Sequence, residues 1–162
     1  MIPVISFVGR SDCGKTTYLE KLIRELKNRN YKVAILKHDV HGFEMDRPGK
    51  DTWRHAQAGA DVVCISSPQK MAMIKKVDQE LTLKEAVQYI DGVDIIFTEG
   101  YKREAETRVE VFRSAACDSP LCQSDELLAM ASDIVVYDNV PTFNLDDPAP
   151  MADFLAAKVL GK

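Results

Sequence analysis

Residues 9–16 of this chain read Gly9-Arg10-Ser11-Asp12-Cys13-Gly14-Lys15-Thr16, a glycine and then, after four residues, a Gly-Lys-Thr triplet. The run before it, residues 2–8, is short, apolar and rich in β-branched residues, which predicts a buried strand. After it, Leu19, Leu22, Ile23 and Leu26 recur at helical spacing. A strand that turns through glycines into a helix is the context in which this pattern becomes a phosphate cradle, a P-loop. The glycines let the backbone bring its N–H groups close to an anion, and the helix N-terminus adds partial positive charge. Lys15 then supplies a point charge for the β- and γ-phosphates, and the Thr16 hydroxyl a ligand for magnesium.

Residues 32–36 form a second β-branched run, so strand, helix and strand make a βαβ unit with parallel strands that need not be adjacent. Asp51 caps a short helix that Gly59 ends, and residues 61–66 and 71–77 predict two strands joined by a turn at Pro68, an antiparallel pair. Thr82 and Glu85 form a capping box before Leu83, Ala86, Val87 and Ile90, and residues 93–98 are the strongest later strand. Further strands are expected over 109–112 and 134–137, with a C-terminal helix over 151–160 closed by Gly161. The expected fold class is α/β: a P-loop NTPase with a predominantly parallel sheet flanked by helices and a small antiparallel portion. At 162 residues, a single nucleotide-binding domain over 1–162 is expected.

The net charge of -4 is spread along the chain without a basic run, which argues against a nucleic-acid partner. The apolar run at 2–8 lacks a basic leader and is too short to span a bilayer, so no membrane association is expected. Cys13 in the glycine loop, Cys64 in an apolar strand, Cys117 and Cys122 read as free thiols of a reducing compartment, and the expected location is cytoplasmic.

Magnesium takes oxygen ligands, so a carboxylate near a strand end should accompany Thr16. Glu99, closing the apolar strand that ends Thr98-Glu99-Gly100, is preferred, because α/β ligands bind at that edge of the sheet. Asp138 has the same form but reads as the start of a turn with Asn139. Loop 38–50 is dense in functional groups and reads as a switch loop whose Asp46 faces magnesium or its waters. His38 with His41, and Cys117 with Cys122, have partial metal-ligand spacing without the further ligands that would close a shell. Arg47, Lys50 and Arg54 make either an anion patch or a solvated face, and Met71 to Met73 either core or a dimerising edge.

The run Lys37-His38-Asp39-Val40-His41-Gly42-Phe43-Glu44-Met45-Asp46-Arg47-Pro48-Gly49-Lys50-Asp51-Thr52, followed by Arg54 and Ala58-Gly59-Ala60, resembles the molybdopterin-guanine dinucleotide biosynthesis protein B family. With the opening loop, Thr98 to Lys102, Ala131-Ser132-Asp133 and Asp146-Asp147-Pro148, the resemblance runs through nearly the whole chain. It implies a homodimeric GTP-binding accessory protein with weak GTPase activity. Such a protein assists a molybdopterin guanylyltransferase that attaches GMP to molybdopterin, and molybdopterin itself is a candidate contact. By that resemblance Gly9, Arg10, Ser11, Asp12, Cys13, Gly14, Lys15, Thr16 and Thr17 bind the triphosphate. Asp46 and Glu99 join Thr16 at Mg2+ and join Lys15 in catalysis, and Pro48-Gly49-Lys50-Asp51 line a shared groove.

The Asn/Thr-Lys-x-Asp motif that reads guanine in many GTPases is absent, so GTP preference follows from the resemblance alone. No side chain is an obvious general base, which implies slow turnover. Two other classes stay open from the residues: a small-molecule kinase, although no arginine-rich lid is evident, and a nucleotide-gated metallochaperone using His38 and His41.

Overall fold

The computed structural model describes residues 1–161. In chain order the elements are β1 (Val4–Val8), α1 (Lys15–Asn28), β2 (Val33–Lys37), α2 (Asp51–Gln57), β3 (Val62–Ser67) and β4 (Lys70–Lys75). There follow α3 (Leu83–Ala86), β5 (Ile95–Glu99), β6 (Arg108–Phe112), β7 (Leu127–Ser132), β8 (Thr142–Phe143) and α4 (Ala149–Leu155). They gather into two compact units, one made of Met1–His38 and the part from Thr82 onward, the other of Asp39–Leu81.

The first unit is built on a six-stranded sheet ordered β2-β5-β1-β6-β7-β8, in which every neighbouring pair is parallel. The expected βαβ unit is there, with β5 lying between its two strands. Side chains alternate across a strand, and the two faces of this sheet differ in chemistry. Ile5, Phe7, Ile95, Phe97, Val109, Val111, Ala129 and Ala131 point to one side, where Leu19, Leu22 and Leu26 of α1 and Met151, Ala152 and Leu155 of α4 bury them. That apolar layer is the main core, and truncating one of its leucines to alanine costs about 2–5 kcal/mol.

The opposite face carries Ser6, Thr98 and Glu110, all buried. The Ser6 and Thr98 hydroxyls hydrogen-bond each other at 2.5 Å, which ties β1 to β5 through side chains as well as backbone. The Glu110 carboxylate accepts the backbone N–H of Leu121 at 2.5 Å and of Cys122 at 3.0 Å. A buried acceptor therefore anchors the irregular 113–124 loop on this face.

Three sequence expectations need correction. The strand expected at 134–137 is irregular backbone that follows a bend, with Ile134 and Val135 exposed, and the strand in that region is instead β7. The alanines of β7 favour helix by propensity, but Ala129 and Ala131 are fully enclosed between β6 and the helical layer, and burial overrides propensity. The helix after Thr82 is shorter than expected: the capping box forms, α3 ends at Ala86 and a 3-10 turn covers Val87–Tyr89. Cys13 and Cys117 are not free thiols. Cys13 points out of the glycine loop into a small cluster with Phe112, Met130 and Val140, meets Cys117 there and forms a disulfide with it. Cys64 is free and exposed, Cys122 free and buried.

The second unit holds α2 and an antiparallel β3–β4 hairpin, with Ser67 paired to Lys70 at its turn. Met71 and Met73 are exposed, not core, as are Val62 and Ile65.

Candidate functional site

Three left-handed or otherwise restricted residues shape the turn between β1 and α1: Gly9 at φ +148°, Asp12 at +63° and Gly14 at +87°. At Gly9 a side-chain carbon would stand 2.5 Å from the Val111 carbonyl oxygen, so only glycine lets β1 and β6 run side by side into the turn. Helix α1 then starts at Lys15 with no side-chain cap and no acidic residue in its first turn. Its leading N–H groups and its dipole therefore face the turn uncompensated. The open cavity at the turn is about 480 Å³, lined by Ser11, Asp12, residues 14–17 and Glu99.

Lys15 Nζ donates to the carbonyls of Gly9 at 3.0 Å and Arg10 at 2.7 Å. Burial pushes its pKa below the usual lysine value, aided by the positive charges of Lys102 and Lys37, while Glu99 and Asp12 oppose the shift. The Thr16 hydroxyl donates to Glu99 Oε1 at 3.1 Å. Register explains the meeting: Glu99 pairs with Phe7 of β1 and with Lys37 of β2, so its carboxylate stands at the carboxyl end of the sheet, level with the turn.

Arg10 and Arg113 divide two tasks. The Arg10 guanidinium leaves the cavity to donate to the Ser119 carbonyl and hydroxyl, both at 3.1 Å. The Arg113 guanidinium lies against Gly14, with Nη2 3.7 Å from where a side-chain carbon would begin. Sequence reasoning missed Arg113, whose only signal is its place directly after an apolar strand. Cys13 is tied into the same neighbourhood by its bond to Cys117.

The structure thus brings together Gly9, Gly14, Lys15, Thr16, Thr17 and Glu99. Asp46 belongs to the other compact unit, where its Oδ1 accepts from the Thr52 hydroxyl at 3.0 Å and the Arg47 N–H at 2.8 Å. His38 sits at the end of β2, its N–H bonded to the Glu99 carbonyl at 2.9 Å and its ring 4.5 Å from that of Tyr101. Among the described residues no group of three or more His, Cys, Asp or Glu could hold a metal ion. Asp138 lies in the turn with Asn139, as its sequence suggested. No helix among the described residues is long and apolar enough to cross a membrane.

A parallel sheet whose first strand turns through glycines into a helix, with Lys-Thr at the helix start and a carboxylate across from it, defines the P-loop class of α/β nucleotide-binding folds. Solved structures agree. The Bacillus subtilis MobB crystal structure shares the fold with a TM-score of 0.77 at 24% identity, covering 99% of this chain and 100% of that one. A crystal structure of molybdopterin-guanine biosynthesis protein B superposes with a TM-score of 0.74 at 27% identity, covering 98% and 99%. Within that class the chain belongs to the family described as molybdopterin guanine dinucleotide synthesis protein B, whose profile matches residues 4–133. The molybdopterin-guanine dinucleotide biosynthesis adapter protein of Escherichia coli K12 is 33% identical over 161 residues, 96% of this chain and 92% of the relative. That of Haemophilus influenzae is 31% identical over 157 residues, 95% and 88%.

Proposed function

We propose that the chain is an adapter in molybdopterin guanine dinucleotide biosynthesis. In this reading it is a homodimeric GTP-binding protein of weak GTPase activity that assists the guanylyltransferase attaching GMP to molybdopterin. The observation that carries the nucleotide part is the cradle itself: a left-handed glycine turn, an uncapped helix start, Lys15 and the Thr16–Glu99 pair lining one cavity. The adapter part is supported by family membership and by the names of the relatives.

In this reading the N–H groups of residues 9–17 and the Lys15 ammonium hold the triphosphate. Thr16 and Glu99 present hard oxygen donors suited to Mg2+, an ion that keeps most of its waters and takes one or two protein oxygens beside phosphate. Bound there, the ion would neutralise charge on the β- and γ-phosphates. By the family resemblance Asp46 serves as a switch carboxylate, and one nucleotide-binding domain spans the chain with Asp39–Leu81 inserted in its sequence. The exposed hairpin edge around Met71 and Met73 supplies the dimer contact. Slow hydrolysis fits an Arg10 guanidinium engaged by Ser119 and a cavity without a neutral general base.

Calorimetric titration with GTP and ATP, each with and without Mg2+, on the wild type and on Lys15→Ala tests this. Tight GTP binding that weakens by about 10- to 100-fold in the variant is expected. Unchanged affinity in Lys15→Ala would remove the cradle from the account, and an ATP preference would remove the guanine part.

A further inference from the structure

The first unit has a second cavity, of about 220 Å³, lined by Lys102, Arg103, Arg108, Leu121, Cys122 and Glu126. Three cations face one carboxylate there, in a chain whose net charge is -4. That carboxylate is fully committed: Glu126 Oε1 accepts from Arg108 Nη1 at 3.1 Å and Oε2 from the Gln123 N–H at 2.8 Å. Lys102 and Arg103 form no ion pair among the described residues. The Arg108 side chain is only 16% exposed, and its buried Nε has no hydrogen-bond partner. The lining holds more cations than carboxylates, which favours an anion.

The remaining wall sets the kind of anion. Leu121 and Cys122 are held by their N–H bonds to buried Glu110, and the Cys122 thiol, pushed up to about 11 mainly by burial, stays neutral. The lining therefore combines three cations with the apolar Leu121 and a neutral thiol. Its volume far exceeds the ~10–15 Å³ that admits one water, leaving space beyond a bare tetrahedral anion. The positive charge of Lys102 is also felt at Lys15, whose pKa it helps to lower.

We propose that this cavity is a second ligand site, taking the phosphomonoester dianion of a small molecule, with Lys102, Arg103 and Arg108 on the phosphate and Leu121 against the esterified group. Two or three cations match a dianion, and arginine matches its oxygens bidentately. The site does not depend on which nucleotide the glycine turn holds.

The test is an amide NMR titration of the 15N-labelled full chain with phenyl phosphate, inorganic phosphate and benzoate, read by residue. Phenyl phosphate should shift the amides of 102–108 and 121–126 and bind there more tightly than either other probe. The exposed pair Lys102→Ala/Arg103→Ala should keep the wild-type Tm and weaken that binding by about tenfold or more. Shifts confined to residues 9–17 would overturn the proposal while leaving the nucleotide cradle intact. Inorganic phosphate binding as tightly would overturn the ester, benzoate binding as tightly would overturn the dianion, and unchanged affinity in the double variant would overturn the site.

Discussion

Thr16 Oγ1 and Glu99 Oε1 meet at 3.1 Å across 83 residues of sequence, one at the first turn of α1 and the other at the last residue of β5. Parallel pairing of β5 with β1 sets that distance, because it carries Glu99 to the level of Phe7, just below the turn. Replacing Glu99 by Gln keeps the shape and an acceptor but removes the charge. Mg2+-dependent nucleotide hydrolysis should fall by about 10- to 100-fold, the worth of a charged contact, while nucleotide binding without metal changes little. Equal losses with and without Mg2+ would make Glu99 a structural partner of Thr16 only.

Gly9→Ala should be severe. Its new carbon would meet the Val111 oxygen at 2.5 Å, at a φ of +148° that side chains rarely adopt. Thermal denaturation should show a loss of about 1–3 kcal/mol or more. A wild-type Tm would mean that the β1–β6 spacing relaxes without cost.

Arg113→Ala addresses the cation found beside Gly14. Arg113 is exposed, so its loss should leave the Tm within about 1–2 °C while weakening nucleotide affinity by about tenfold and flattening its salt dependence. Calorimetric titration at two salt concentrations decides it; affinity unchanged at both would leave Arg113 without a role in phosphate binding.

The Cys13–Cys117 bond closes a loop across 104 positions of sequence. Loop-closure entropy for such a length corresponds to about 4–5 kcal/mol as an upper figure. Reduction, or Cys117→Ser, should therefore lower the Tm by several degrees, and mass spectrometry after alkylation should show two more blocked thiols in the reduced wild type. Equal melting of the oxidised and reduced forms would show that the buried cluster holds the loop without the bond.

Glu110 sets a pH signature. Burial raises its pKa above the usual glutamate value, with the N–H groups of Leu121 and Cys122 and the charge of Arg10 opposing. An acid raised in the folded state contributes stability that is complete below its unfolded value, about 4.3, and lost as pH rises through the folded value. The Tm difference, wild type minus Glu110→Gln, should therefore fall from pH 4 upward. A difference that grows with pH would mean that the two N–H donors outweigh burial.

The cradle is legible in the sequence because its requirements are local. A glycine for the turn, a lysine and a hydroxyl at fixed offsets, and a strand and helix on either side all lie within residues 2–26 and appear as spacing. The hairpin at Pro68 and the Thr82–Glu85 capping box were readable for the same reason. Glu99 could be nominated because a carboxylate at the end of an apolar strand lands at the sheet edge, whatever the strand order.

What depends on strand order could not be read this way. The pairing of β6 beside β1 brings Arg113 to Gly14 and the 113–124 loop over Glu110, and both contacts span sequence distances with no periodic signal. β7 escaped notice because its alanines look helical until neighbouring strands enclose them, whereas Ile134 to Tyr137 look like a strand and find no partner. Cys13 and Cys117 read as separate thiols until the cluster of Phe112, Met130 and Val140 draws them together. Local patterns are set by backbone sterics and side-chain spacing within a few residues. Which distant groups meet is set by how the sheet orders its strands to bury one apolar face under α1 and α4, and only the folded chain makes that choice.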